Sequence, residues 1–302
     1  MNINWQGIYP AITTQFTPTG EIDWVAYQKN MKAQLQAGVH GIIVGGSLGE
    51  GSSLSLDEKL ALTTETLKIS NGSVPVLLNL AERSNRDALY LTKEAEKRGV
   101  DGLMLLPPMQ YKADDREVIT YFKAIASATS LPIMIYNNPV DYKIFVSVEM
   151  FRELIKHDNI QAVKESSRDL TNISRMRNAF GDRVKIMGGV DTLIIESLLM
   201  GCDGLVAGLV NAFPRETVVI YELMQAGRID EAKAIFRWFL PLLELDIHPK
   251  LVQYIKLAEL ETGMGHEHVR APRLPLEGEE RERVWKVIRD AIVSRPEMPV
   301  LA

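Results

Sequence analysis

Residues 74–108 read VPVLLNLAERSNRDALYLTKEAEKRGVDGLMLLPP. Two apolar runs of strand length, VPVLLNL and GLMLLPP, enclose a helical pattern over Asp87–Lys97 and a glycine, Gly99, that can take the positive φ of a helix end. Strands this continuously apolar are buried on both faces, and strands joined through a helix pair in parallel by a right-handed crossover. The unit repeats in both directions along the chain. Upstream lie GIYPAITTQF and GIIVGGS, and downstream LPIMIYN, IQAVKES, VKIMGGV and GLVAGL, which makes eight strand signals in all. Helical patterns over Trp24–Gln36 and Leu56–Ile69 separate the early strands; Asp57 and Glu58 sit near one helix start, and Gly38 and Gly201 follow helical runs as Gly99 does. Eight alternating units either close into a (β/α)₈ TIM barrel or extend as an open doubly wound sheet, which periodicity does not separate. The count of eight favours closure.

After Asn211 the strand signal stops, and Arg215–Gln225, Ile229–Leu243, Lys250–Glu261 and Glu279–Val293 read as helices. The first completes a barrel over residues 1–226. The other three form a C-terminal helical subdomain, 227–302, entered near Ala226-Gly227 and interrupted by the loop MGHEHVRAPRLPLEGEE. No flexible linker precedes it, so it should pack tightly on the barrel.

Bulk properties narrow the function. The 302 residues are 46% hydrophobic and 24% charged, without a low-complexity tract, as expected of a compact globular chain. Thirty-four basic against 39 acidic residues give a net charge of −5, and the charge-rich stretch Glu277–Arg283 mixes both signs. Nucleic acid and anionic membrane are therefore poor partners. No basic region followed by an apolar core opens the chain, and no apolar run approaches the roughly 18 residues that span a bilayer, so a cytoplasmic location is expected. The single Cys202, in the apolar run LLMGCDGL, reads as a packed thiol. His40, His157 and His248 stand apart and His266-Glu267-His268 is a loop pair, so no metal site is expected.

Active sites of closed barrels lie at the C-terminal ends of the strands. Four ends carry chemistry: Gly46-Ser47-Leu48-Gly49-Glu50, Tyr136-Asn137-Asn138-Pro139, Lys164-Glu165 and Gly188-Gly189. Lys164 is the most informative, because it sits in IQAVKESS where a doubly buried strand should be apolar. A desolvated amine loses charge, and a neutral amine attacks a carbonyl, so such a lysine suits Schiff-base formation. The plainer reading is a strand-end lysine that reaches solvent or pairs with a carboxylate. Tyr136 ends the neighbouring strand and can pass protons to and from a carbinolamine if a second hydroxyl, such as that of Ser47, polarises it. Equally, Tyr136 can be a core aromatic and Ser47 a residue that eases a glycine-rich turn. Backbone N–H groups of the Gly46–Glu50 turn can hold a carboxylate. Gly188-Gly189 can let a ligand approach the backbone or can simply make a tight turn.

These residues resemble the N-acetylneuraminate lyase and dihydrodipicolinate synthase superfamily of Schiff-base barrels. The marks are GIYPAITTQF, the GGSLGEGSSLSLDEK loop, YNNP and VKES, with Tyr136 and Lys164 28 residues apart, and the likeness covers nearly the whole chain. It implies Lys164 as the imine lysine, Tyr136 as the proton-transferring phenol and Ser47 as its relay partner. It also implies Leu48, Asn138, Val206, Gly189 and Tyr111 around the substrate, a small 2-oxo acid or its cyclic imine. No external cofactor is implied, since the protonated imine is the electron sink, and members usually assemble as homotetramers.

Three departures bear on the activity. Synthases of the superfamily carry an arginine shortly after YN-x-P, where this chain has Asn138-Pro139-Val140-Asp141-Tyr142; Leu48 replaces a hydroxyl residue; and Gln110, followed by Tyr111, occupies the place of a tyrosine supplied to a neighbouring subunit. LLPPMQYKADDRE, YNNPVDYKI, AGLVNAFPRETV and RWFLPLLELD resemble instead the pyrroline-4-hydroxy-2-carboxylate deaminases. That subgroup implies dehydrating deamination to 2,5-dioxopentanoate and ammonia. The rivals are a pyruvate-dependent aldolase or synthase, and a non-catalytic barrel that binds a 2-oxo acid.

Overall fold

The computed structural model describes residues 3–299. Its strands are β1 (Gly7–Pro10), β2 (Ile42–Val44), β3 (Val76–Leu80), β4 (Gly102–Leu105), β5 (Ile133–Asn137), β6 (Ile160–Glu165), β7 (Lys185–Gly188) and β8 (Gly204–Ala207). All pair in parallel, each with its neighbour in sequence, and β8 pairs with β1. The last seam, between β1 and β2, is closed by a parallel bridge from Ala11 to Ile43, with the Ile12 amide donating to the Ile43 carbonyl at 2.9 Å and the His40 amide to the Ile8 carbonyl at 2.8 Å. The chain is a (β/α)₈ TIM barrel with a C-terminal helical extension.

Helices occupy the expected places. Trp24–Gln36 and Ile229–Leu243 span the residues read from the sequence, and Leu56–Ser70, Asn85–Arg98, Pro214–Gln225, Leu251–Glu261 and Gly278–Val293 differ by one or two residues at their ends. Local chemistry sets several starts. Ser55 accepts from the Glu58 amide while the Glu58 carboxylate accepts from the Ser55 amide, a capping box, and Asp114 and Glu117 do the same for Asp115–Ala126.

Two differences from the sequence expectation matter for the site. The first strand was expected to run through GIYPAITTQF but its ladder ends at Pro10. Beyond it the polar side chains turn to other partners: the Thr13 amide donates to Asn211 Oδ1 at 3.1 Å, and Thr13 and Gln15 both donate to Glu259 on helix Leu251–Glu261. The segment after β5, where the alternation of strand and helix implies one helix, forms two, Pro139–Tyr142 and Val148–Leu154. Asn138 and Ser147 cap them by accepting from the Asp141 and Met150 amides.

The C-terminal helices share a core with the barrel. One continuous apolar cluster runs from Ile8, Tyr9 and Ile43 to Phe239, Leu257 and Ile288. A buried ion pair reinforces it: Lys256 Nζ donates to Glu50 Oε1 at 2.6 Å and to the His268 carbonyl at 2.6 Å, and both side chains are fully buried. Glu50 Oε2 accepts from the Arg270 amide at 3.0 Å and lies 3.7 Å from Arg273. The turn after β2 is thereby tied to the C-terminal extension. No helix among the described residues is long and apolar enough to cross a membrane.

Removing one partner of a buried pair leaves the other charge uncompensated in a medium of low dielectric. Lys256→Met should therefore lower unfolding free energy by about 3 kcal/mol, and Glu50→Gln with Lys256→Met should recover part of that loss. Urea denaturation of the three proteins measures it; a Lys256→Met variant as stable as wild type would mean the pair is not what holds the extension.

Candidate active site

Strand periodicity of two, combined with register, builds the site. Tyr136 pairs with Lys164 and Asn137 with Glu165, so Tyr136 and Lys164 share one face while Asn137 and Glu165 share the other. The second face serves as scaffold. Glu165 Oε2 accepts from Asn137 Nδ2 at 3.0 Å and Asn172 Nδ2 at 2.7 Å, its Oε1 accepts from the Ser167 amide at 2.7 Å, and Asn137 Oδ1 accepts from the Val146 amide at 2.9 Å. These bonds fix the two strand ends against the loops that follow them.

The first face opens into a cavity of about 750 Å³ at the C-terminal mouth of the barrel, lined by Lys164, Tyr136, Ser47, Leu48, Asn138 and Val206 among others. Lys164 is buried, with Nζ 4.1 Å from the centroid of the Tyr136 ring. Burial pulls its pKa below that of a free lysine, against the opposing pull of the Tyr142 phenol and the carboxyls of Asp246, Asp191 and Asp141. Gly189 makes the space for this side chain. A Cβ there would stand 2.0 Å from Ser166 Oγ and 2.8 Å from Lys164 Cγ and Cε. The glycine accommodates the protein's own lysine.

Around the amine lies a ring of acids and phenols. Tyr136 Oη accepts from Asn138 Nδ2 at 3.1 Å, which leaves its own proton free to donate. Burial pushes that phenol up to about 12, opposed by the Asn138 and Ser166 hydrogen bonds. Asp191 accepts from the Gly208 amide at 3.1 Å and the Leu209 amide at 2.9 Å, yet burial still raises its pKa. Asp246 comes from the C-terminal extension, and burial followed by repulsion from Asp191 raises its carboxyl well above the usual range. Its Oδ1 would lie 2.1 Å from a Cβ at residue 208, so Gly208 is what admits it. A buried amine with a lowered pKa, a protonated phenol and two carboxyls whose pKa values burial raises form a set suited to carbinolamine formation and dehydration.

The model of the dihydrodipicolinate synthetase family matches residues 4–291. The chain belongs to this family. A 4-hydroxy-tetrahydrodipicolinate synthase of Exiguobacterium sibiricum is 33% identical, covering 90% of this chain and 92% of the relative. One of Methanoculleus marisnigri is 31% identical, with 94% and 98% covered. The crystal structure of a dihydrodipicolinate synthase of Bacillus anthracis superposes with a TM-score of 0.91 at 28% identity, covering 95% of this chain and 99% of that one.

Within this family member, Lys164, Tyr136, Ser47, Leu48, Asn138, Gly189 and Val206 all line one cavity. Ser47 is bonded to Tyr142, at 2.5 Å between hydroxyl oxygens, rather than to Tyr136. Tyr111 is 56% exposed, faces Glu117 and does not line the cavity, whereas Met109 and Gln110 do. Asp191, Asp246, Ser166 and Tyr142 were not singled out by the sequence reading. Asp191 follows a strand end, where it was findable; Asp246 sits in the apolar run FLPLLELDI and carries no local signal.

Gly189→Ala should displace the Lys164 side chain. We expect it to lose carbonyl-dependent labelling of Lys164 while keeping a cooperative thermal transition; labelling at the wild-type rate would show that the lysine does not need that space.

Proposed function

We propose that the chain is a lyase that binds a small 2-oxo acid as a Schiff base on Lys164, and that it acts on pyruvate together with an aldehyde bearing an acidic group. The observation that carries the Schiff base is the amine of Lys164 buried against Tyr136 in the cavity at the barrel mouth. The names of the relatives favour a condensing or cleaving reaction of the 4-hydroxy-tetrahydrodipicolinate synthase type. The cavity also offers what a second acidic substrate requires. Arg83 and Arg168 line it, and neither guanidinium makes a salt bridge among the described residues, so either can take the role of the arginine missing after Pro139.

A second reading, dehydrating deamination of 1-pyrroline-4-hydroxy-2-carboxylate, has one observation in its favour. Burial raises the carboxyls of Asp191 and Asp246, which interact with Lys164, and a departing hydroxyl needs an acid. In that chemistry Lys164 attacks the cyclic imine, a C3 proton and the 4-hydroxyl leave as water, and hydrolysis releases ammonia and 2,5-dioxopentanoate. In either reaction Tyr136 is a phenol within reach of the adduct that can exchange protons with it.

Borohydride added with pyruvate should leave a covalent mass increment on Lys164 and on no other lysine, read by peptide mass spectrometry. A panel of pyruvate with aspartate semialdehyde, deoxy-keto sugar acids and hydroxypyrroline carboxylate then separates the two reactions. Condensation product without ammonia supports the first, ammonia from the pyrroline supports the second, and absence of the Lys164 label would sink both.

A further inference from the structure

Tyr142 has no role in the sequence reading, where it stands only in quoted stretches, yet the structure places it in the cavity of the reactive amine, bonded to an exposed hydroxyl. It closes the short helix Pro139–Tyr142, whose start is fixed by Asn138 and whose end is turned by Lys143 in the left-handed region, φ 61°. That turn aims the phenol back over the barrel mouth, where its ring meets Tyr136 edge-on with centroids 5.6 Å apart. The hydroxyl reaches the exposed hydroxyl of Ser47 at 2.5 Å. Both residues line the same cavity as Lys164.

We propose that Tyr142 is a second proton-transferring phenol of this site, and that Ser47 and Tyr142 form the path along which protons pass between solvent and the carbinolamine on Lys164. The inference rests on the Schiff-base reading above. Tyr136 is poorly placed to do this alone: its oxygen is held by Asn138, its ring face is turned to the Lys164 nitrogen, and it makes no bond to Ser47. Tyr142 offers the complementary arrangement, a phenol whose oxygen is joined to a hydroxyl open to water. Burial keeps it protonated, and it lines the same cavity as the Lys164 amine.

The step balances as follows. The neutral amine of Lys164 forms a C–N bond to the keto carbon, and the carbonyl oxygen becomes the carbinolamine hydroxyl as the nitrogen gives up one proton. That C–O bond then breaks as its oxygen takes the Tyr142 proton and leaves as water, while the nitrogen lone pair closes the C=N⁺ bond. The phenolate takes a proton from Ser47, and Ser47 takes one from solvent, so one proton is drawn from bulk water per imine formed. Hydrolysis of the imine runs the same path backwards.

The experiment measures single-turnover formation of the pyruvate imine, trapped by borohydride, in wild type, Tyr142→Phe, Ser47→Ala, the double variant and Tyr136→Phe. Loss of a general acid–base group costs roughly 10²–10⁴-fold, so Tyr142→Phe should be slowed at least about a hundredfold with its melting temperature little changed. Ser47→Ala, an exposed position that tests the same path without touching the core, should be slowed in the same direction. The double variant should be no slower than the worse single, because members of one path are non-additive. A small buffer acid such as imidazole should restore part of the Ser47→Ala rate, which a packing defect would not allow. A Tyr142→Phe rate within about twofold of wild type, or losses that multiply in the double variant, would overturn the proposal. Should wild type itself carry no label on Lys164, the Schiff-base reading fails and this path with it; a labelled wild type beside an unaffected Tyr142→Phe refutes the path alone.

Discussion

The structure is organised around the cost of burying one amine. An ammonium moved from water into a protein interior loses several kcal/mol of solvation even after relaxation, and Lys164 meets that cost by giving up its proton more readily than a free lysine does. Carboxyls of Asp246, Asp191 and Asp141 pull the other way. The balance suits a nucleophile, since a lysine tied to one carboxylate would stay protonated and one with no acid nearby would have nothing to protonate its adduct. Closure of the barrel makes this possible, because only a face directed into the barrel excludes water while its upper end still opens to a cavity.

The rest of the fold can be followed outward from that amine. Gly189 is side-chain-free because the lysine occupies its space, and Gly208 because Asp246 does. Asp246 belongs to the C-terminal extension, so the extension completes the chemical surroundings of the barrel's lysine as well as covering apolar surface. That explains why its attachment is elaborate. Glu50, four residues from Gly46 on the turn that carries Ser47, is bound by Lys256, and Glu259 gathers Thr13, Gln15 and Asn30. Burial raises the Glu259 carboxyl to about 7, so the folded chain holds that proton to higher pH than the unfolded chain, and this group's contribution to stability falls as pH rises from about 4.5 towards 7.

Sequence carried the architecture and the centre of the site for the same physical reason. Doubly buried strands are nearly free of polar residues, so eight apolar runs marked the barrel, and Lys164 stood out inside IQAVKES. Tyr136 was legible because a parallel register brings adjacent strand ends together. What sequence did not reveal depends on distance and direction. Ser47 and Tyr142 are 95 positions apart, and their contact exists only because Pro139–Tyr142 is a helix, a feature too short to leave a periodic signal. Asp246 was concealed in a run whose neighbours are apolar.

Which reaction follows imine formation is decided by charge placed away from the lysine. A condensing enzyme must hold a second acidic molecule, which opposite charge would hold; Arg83 and Arg168 line the cavity, as does Asp141, bonded to Asn138, whose charge would oppose it. An eliminating enzyme holds one molecule and must protonate what leaves, for which carboxyls whose pKa burial raises are the suitable groups, and burial moves Asp191 and Asp246 in that direction. Asp246 also feels the positive charge of Arg168, so the two requirements are coupled. A substrate carboxylate that took the guanidinium would withdraw its charge from Asp246, raise that acid further and ready it to protonate a leaving group. In this cavity, binding of a carboxylate and the acidity of Asp246 are parts of one electrostatic arrangement around Lys164.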